Sequence, residues 1–191
     1  VPAPPLPEGE RRVVRILHIN DMHNHLTEMH ASRGDTHRFS QIVKMVREAR
    51  ADAAQNEITL FVSAGDDHTG SVFDELMGWA PEEFVADAGY RAASAAGLDI
   101  AVLGNHEFDR GAEMLRLGIE RDATFPILSA NIHGSAYVQR DRDYHAAAVL
   151  EAKGLRIGVI GLTTSVDTRV GTEADPGLAV ESPLTALENL V

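Results

Sequence analysis

Three short stretches hold the residues best suited to bond-making chemistry: Asn20-Asp21-Met22-His23, Gly65-Asp66 and Gly104-Asn105-His106-Glu107. Carboxylate, imidazole and amide oxygen are hard or borderline donors. With no cysteine in the chain, they suit Mn, Zn, Fe or Co ions in an open site rather than a thiolate zinc cage. A carboxylate between two such ions can bridge them. Two cations roughly 3.5–4 Å apart acidify a shared water, clamp a phosphoryl oxygen and neutralise the charge that develops during in-line attack by hydroxide. Taken singly, Asp-x-His and Gly-Asp are common turns. The three together, in this order and each after a strand-like run, argue for a site.

The runs that precede them are β-branched and apolar. Val13 to Ile19 leads into Asp21, residues 58–63 lead into Asp66, and residues 100–103 lead into Asn105. Between the first two, Phe39, Ile42, Val43, Val46 and Ala49 recur at helical spacing. Pro81-Glu82-Glu83 predicts the start of a second helix that Gly97 closes. A third is predicted over residues 112–121, with Asp109 as its N-cap and Ile127-Leu128 as the run beyond it. Strands alternating with helices predict a layered α/β fold, in which loops at the carboxyl ends of strands converge on one crevice. Residues 144–152 and 155–162 flank Lys153-Gly154 and predict an antiparallel hairpin, so mixed β-sheets flanked by helices are expected. Asp175-Pro176-Gly177 marks a late turn, and Ser182-Pro183 opens a helix of which only Leu184, Leu187 and Leu190 precede the last residue, Val191. A domain incomplete at its C-terminus is the expectation.

Bulk properties narrow the class. The 191 residues, 44% of them hydrophobic, are enough for one buried core, read here as residues 13–191 behind a flexible Pro-rich leader over residues 1–12. That leader resembles the segment that follows a removed signal peptide. Seventeen Lys and Arg against 29 Asp and Glu give a net charge of −12, which repels a nucleic-acid polymer but tolerates a small phosphorylated substrate wherever metal ions reverse the local field. No apolar run approaches the roughly 20 residues that span a bilayer.

Asp21-Met22-His23, Ala64-Gly65-Asp66 and Gly104-Asn105-His106-Glu107-Phe108-Asp109 resemble the signature loops of the calcineurin-like metallophosphoesterases. Residues 16–21, Phe108-Asp109, Ser129-Ala130-Asn131-Ile132 and residues 157–164 resemble the 5'-nucleotidase branch, and the resemblance covers nearly everything after the leader. It implies two divalent metal ions, with Asp21 and His23 on one, Asp66 bridging both, and Asn105 on the second beside the phosphate. It also implies that His106, next to the substrate, stabilises the transition state or assists the leaving group, and that Asp109 pairs with it. A carboxylate in that place fixes the imidazole tautomer and raises its pKa.

The implied substrates are nucleoside monophosphates or related nucleotides. The implied partner is a C-terminal substrate-binding domain carrying an aromatic base clamp, and the implied location is extracytoplasmic. A 2',3'-cyclic nucleotide phosphodiesterase or nucleotide-sugar hydrolase would present nearly the same loops, and a catalytically silent metal-binding α/β module is the alternative of another class. A nuclease of the same superfamily fits the loops but not the acidity. Three further family histidines, two in a Gly-His-x-His motif, have no match here, and His133 and His145 read as surface or loop residues. His68 stands where a small or apolar residue is expected and reads as an exposed loop histidine, with a part in substrate choice as the alternative. His18 is expected to pack within the first strand, His25 to support the first loop, and His30 and His37 to face solvent.

Overall fold

The computed structural model describes residues 9–30, 32, 34–164 and 175–190, so most of the leader lies outside the described residues. In chain order the elements are β1 (Val13–Ile19), β2 (Glu28–His30), β3 (Gly34–Thr36), α1 (Arg38–Ala51), β4 (Glu57–Ser63), α2 (Ala88–Ala96), β5 (Ile100–Val102), α3 (Ala112–Asp122), β6 (Ile127–Leu128), β7 (Ile132–His133), β8 (Ala147–Ala152), β9 (Leu155–Ile160), β10 (Ala179–Val180) and α4 (Pro183–Leu190). β1, β4, β5 and β6 form one parallel sheet in that order. Each crossover advances the same way across it, and right-handed crossovers therefore place α1, α2 and α3 on one face. There Phe39 and Val46 of α1, Tyr90 and Ala93 of α2 and Leu115 of α3 bury against Phe61, Ala101 and Ile127 of the strands.

The period of two along a strand explains one departure from expectation. Leu17 and Ile19 turn to the helices and join the core, while His18 falls on the opposite face with Val14 and Ile16 and is exposed. A second departure concerns α2. Pro81–Glu83 forms only a 3-10 turn, because Phe84 is buried with Met77, Met114 and Leu117 and the next two amides, of Val85 and Ala86, both bond to the Leu76 carbonyl (2.9 and 3.0 Å). The helix starts later, capped by the Asp87 carboxylate on the Tyr90 amide at 2.9 Å, and ends at Gly97, whose φ of 75° is the left-handed closure the sequence suggests. A third concerns α3, where Gly111 and not Asp109 occupies the cap position.

The hairpin is as expected. β8 and β9 pair antiparallel, and Lys153 and Gly154, at φ 48° and 80°, make a two-residue turn with both central residues left-handed. Antiparallel β7 and β10 meet near the predicted turn at Asp175, whose carboxylate takes the Ser135 hydroxyl and the Ala136 amide. At Gly161 the chain passes so close to Leu128 that an added Cβ would lie 2.5 Å from its Cβ and 2.6 Å from its carbonyl oxygen. Gly161→Ala is therefore expected to cost about 1–3 kcal/mol, read as a lowered thermal midpoint; an unchanged midpoint would show that the two segments separate freely. Among the described residues no helix is long and apolar enough to cross a membrane.

Candidate active site

Each of the three motif loops leaves the carboxyl end of a parallel strand, and the parallel register brings them side by side. The first two are laddered through their backbones. Amides of Asp21, His23 and Asn24 bond to the carbonyls of Gly65, Asp66 and Asp67 at 3.0, 3.0 and 2.8 Å. This pairing demands tight reversals: Asp21, His23, Asn24, Asp66 and Thr69 all have φ between 47° and 57°, values that non-glycine residues seldom take. Such strain gathers where surrounding structure fixes a side chain for a purpose. The third loop closes on the second at Gly65, where a Cβ would lie 2.7 Å from the Gly104 amide nitrogen and 2.8 Å from the Val102 carbonyl oxygen.

Of the predicted residues, Asp21, His23, Asp66, His106 and Asp109 are linked by direct contacts. The Asp66 Oδ1 accepts the His106 amide at 2.9 Å, and a Cβ on residue 104 would collide with the same carboxylate, so Gly104 makes the room it occupies. His23 bonds through Nδ1 to the Thr69 carbonyl oxygen at 2.8 Å. A carbonyl accepts only, so Nδ1 carries the proton and the Nε2 lone pair is left for a ligand. That Nε2 lies 4.0 Å from Asp21 Oδ1, a gap that two coordinating bonds of about 2.1 Å can span. Asn105 begins the 3-10 turn His106–Phe108, and its side chain caps nothing there.

The His23 and His106 rings meet edge to face, with centroids 4.6 Å apart. His106 Nδ1 donates to Asp109 Oδ2 at 2.7 Å, and the Thr69 hydroxyl donates to the same oxygen at 2.6 Å. The hydrogen bond to Asp109 holds the His106 pKa above its ordinary value against some desolvation, with the charges of Asp109, Asp66 and Glu107 adding to it. Two adjacent imidazoles thus differ in kind. One faces a carbonyl and suits a neutral metal ligand; the other faces a carboxylate and suits a cation.

Other residues stand differently from expectation. His68 is not exposed on a loop but wholly buried, its Nε2 2.6 Å from Asp87 Oδ2, so it touches no substrate. His133 is exposed and His145 pairs with Asp141 at 3.4 Å, both outside the site as expected. His37 is exposed, the side chain of His30 lies outside the described residues, and His25 helps turn the first loop through its amide on the Met22 carbonyl (2.8 Å). Thr69 and the carboxylate of Glu107 carry roles that the sequence does not announce.

The donor set fits a divalent ion through Asp21 and His23. Among the described residues, however, no three His, Asp or Glu side chains converge to enclose one. The family model described as calcineurin-like phosphoesterase matches residues 14–160. The chain belongs to this family.

Relatives are consistent with that membership. The chain is 33% identical over 158 residues to Protein UshA of Yersinia enterocolitica, which takes in 83% of this chain and 26% of that protein. It is 31% identical over 181 residues to a 5'-nucleotidase of Diplobatis ommata, covering 92% and 30% respectively. The solved 5'-nucleotidase precursor from Thermus thermophilus superposes with a TM-score of 0.71 at 27% identity, over 92% of this chain and 33% of its own. The NAD nucleotidase of Haemophilus influenzae gives a TM-score of 0.68 at 25% identity, over 92% of this chain and 30% of its own. The chain spans about a quarter to a third of the length of these relatives.

Proposed function

We propose that the chain is the metal-carrying part of a nucleotide phosphohydrolase of the 5'-nucleotidase type. The observation that carries this reading is the pair of dissimilar imidazoles, His23 on the Thr69 carbonyl and His106 on the Asp109 carboxylate, packed 4.6 Å apart beside Asp21 and Asp66. In this reading Asp21 and His23 hold one divalent ion, Asp66 is shared between two, and Asn105 serves the second. When bound, the two ions supply a nucleophile at neutral pH and neutralise phosphoryl charge.

The chain's own groups do the rest. Asn105 orients a phosphoryl oxygen. His106, its pKa raised by the hydrogen bond to Asp109, offers Nε2–H in its protonated form to the oxygen that gains charge as the ester bond breaks. Thr69 fixes both imidazoles, one through its carbonyl and the other through its hydroxyl on Asp109. A nucleotide as substrate is supported by the names of the relatives, and the base would be recognised by a further segment of the protein. An extracytoplasmic location is supported by the family resemblance.

The test is phosphate release from 5'-AMP by the intact protein, with and without added manganese, beside Asp109→Asn. Asparagine keeps the shape but withdraws the charge that holds His106 cationic, so kcat is expected to fall about 10²–10⁴-fold with little change in KM. Manganese-dependent release that Asp109→Asn leaves intact would remove His106 from the chemistry. No release from any phosphomonoester would overturn the reading.

A further inference from the structure

Glu107 is almost wholly buried, 1% exposed, yet it follows His106 at the mouth of the site. Its carboxylate makes no ion pair with Lys or Arg among the described residues but is met by three backbone donors. Oε1 accepts the Asp67 amide at 2.7 Å, and Oε2 accepts the amides of Asp66 at 3.1 Å and Gly104 at 2.5 Å. The first two are consecutive N–H groups of the strained second loop, converging on an anion in the manner of a backbone nest. The third belongs to the start of the loop that carries Asn105. Besides these bonds, the Asp66 carboxylate takes the His106 amide, the Thr69 hydroxyl donates to Asp109, and Gly65 and Gly104 pack with no room for a side chain.

We infer that Glu107 is a positioning residue, an internal anion whose hydrogen bonds to the amides of Asp66, Asp67 and Gly104 set where the Asp66 carboxylate stands relative to Asn105 and His106. The inference rests on the proposed two-metal reading for its catalytic consequence, but not for its geometry. A single carboxylate that accepts from both loops fixes their separation, and no other residue can do so from that place. Aspartate is one methylene too short to reach all three amides. Glutamine offers one oxygen and turns an NH₂ toward an N–H that then has no acceptor.

The test is Glu107→Gln in the intact protein, with manganese affinity measured by titration of the metal-free form and kcat and KM measured separately. For folded molecules, manganese affinity is expected to fall about 10–100-fold and kcat by a similar factor, with KM nearly unchanged, as for residues that orient ligands without touching the ion. Wild-type manganese affinity in folded Glu107→Gln would overturn the inference, as would a kcat loss no larger than its unfolded fraction. If the variant does not fold, hydrogen exchange of the wild-type protein, resolved to single residues, decides. The Asp66, Asp67 and Gly104 amides are expected to exchange at least about 100-fold slower than exposed loop amides, and exchange at the loop rate would overturn the inference. Manganese affinity and exchange need no turnover, so their outcomes stand even if the wild-type protein hydrolyses nothing.

Discussion

Asp66→Asn is expected to leave the intact protein folded and to lower its manganese-dependent kcat/KM by at least about 10³-fold, a loss equivalent to roughly 4 kcal/mol of transition-state stabilisation. The side chain is half-buried, its Oδ1 takes the His106 amide at 2.9 Å, and Gly104 leaves space beside it. Asparagine has the same outline and keeps an oxygen for that amide, so packing and the loop-to-loop hydrogen bond survive. What disappears is the negative charge and, with an NH₂ in place of the second oxygen, the ability to serve two cations at once. Two measurements check this together: the metal content of the desalted protein should fall below that of the wild type, and the thermal midpoint of the metal-free form should stay within a few degrees. A variant that kept a tenth or more of wild-type activity would show that Asp66 is not shared between ions. A midpoint collapse would place its importance in folding instead.

The positions of the three loops were legible because each follows a short apolar run with β-branched residues, too short for a helix and ended by loop formers, and parallel strands deliver their ends to one side of a sheet. The Lys153-Gly154 hairpin and the Asp175 turn were legible for a similar reason, since both depend on local backbone preferences. What failed was decided at long range. Pro81-Glu82-Glu83 has the composition of a helix start, but burial of Phe84 against Met114 and Leu117 of α3 pulls the backbone out of helical geometry, and Asp87 takes over as cap. Asp109 has the composition of a cap, but His106 and the Thr69 hydroxyl claim its carboxylate. Thr69 gives no signal, because its role depends on the direction its carbonyl takes at φ 52° and on a hydroxyl bond to Asp109, 40 residues away. A loop histidine followed by Thr-Gly reads as exposed, and nothing near His68 in sequence reveals that Asp87 will be its partner across a dry interior.

That interior makes the second large prediction. His68 and Asp87 are both fully buried and 2.6 Å apart, with Asp67 and Glu107 close enough to act on the ring. Burial works against the imidazolium. The charge of Asp87 and its hydrogen bond outweigh it, with Glu107 and Asp67 adding to them, and the His68 pKa is raised to about 9. Asp67, desolvated and facing Glu107, is pushed up to about 7 against the Ser63 hydrogen bond and the His68 charge. His68 is thus the cation that makes a cluster of buried carboxyls tolerable.

His68→Leu keeps the volume but leaves Asp87 and Glu107 with no countercharge, which for a buried pair costs about 3–5 kcal/mol, or roughly 6–20 °C in the midpoint of a chain of this size. Asp87→Asn should cost less, because asparagine still caps α2 and the uncharged ring can remain neutral. The pH dependence has a definite sign. A histidine whose folded pKa is raised from 6.5 to about 9 contributes its stability in full below pH 6.5 and loses it as pH climbs through 9. Asp67, also raised, opposes folding increasingly between its unfolded value of 3.8 and about 7, so the two slopes run the same way. The midpoint of the metal-free wild type should therefore fall between pH 6.5 and 9, and that of His68→Leu should be lower throughout and flatter towards pH 9, with the Asp67 pKa, raised further once the His68 charge is gone, keeping a slope at the lower end of this window. Parallel slopes in the two proteins would mean that His68 is neutral in the fold and that the carboxyls around it are held by something other than its charge.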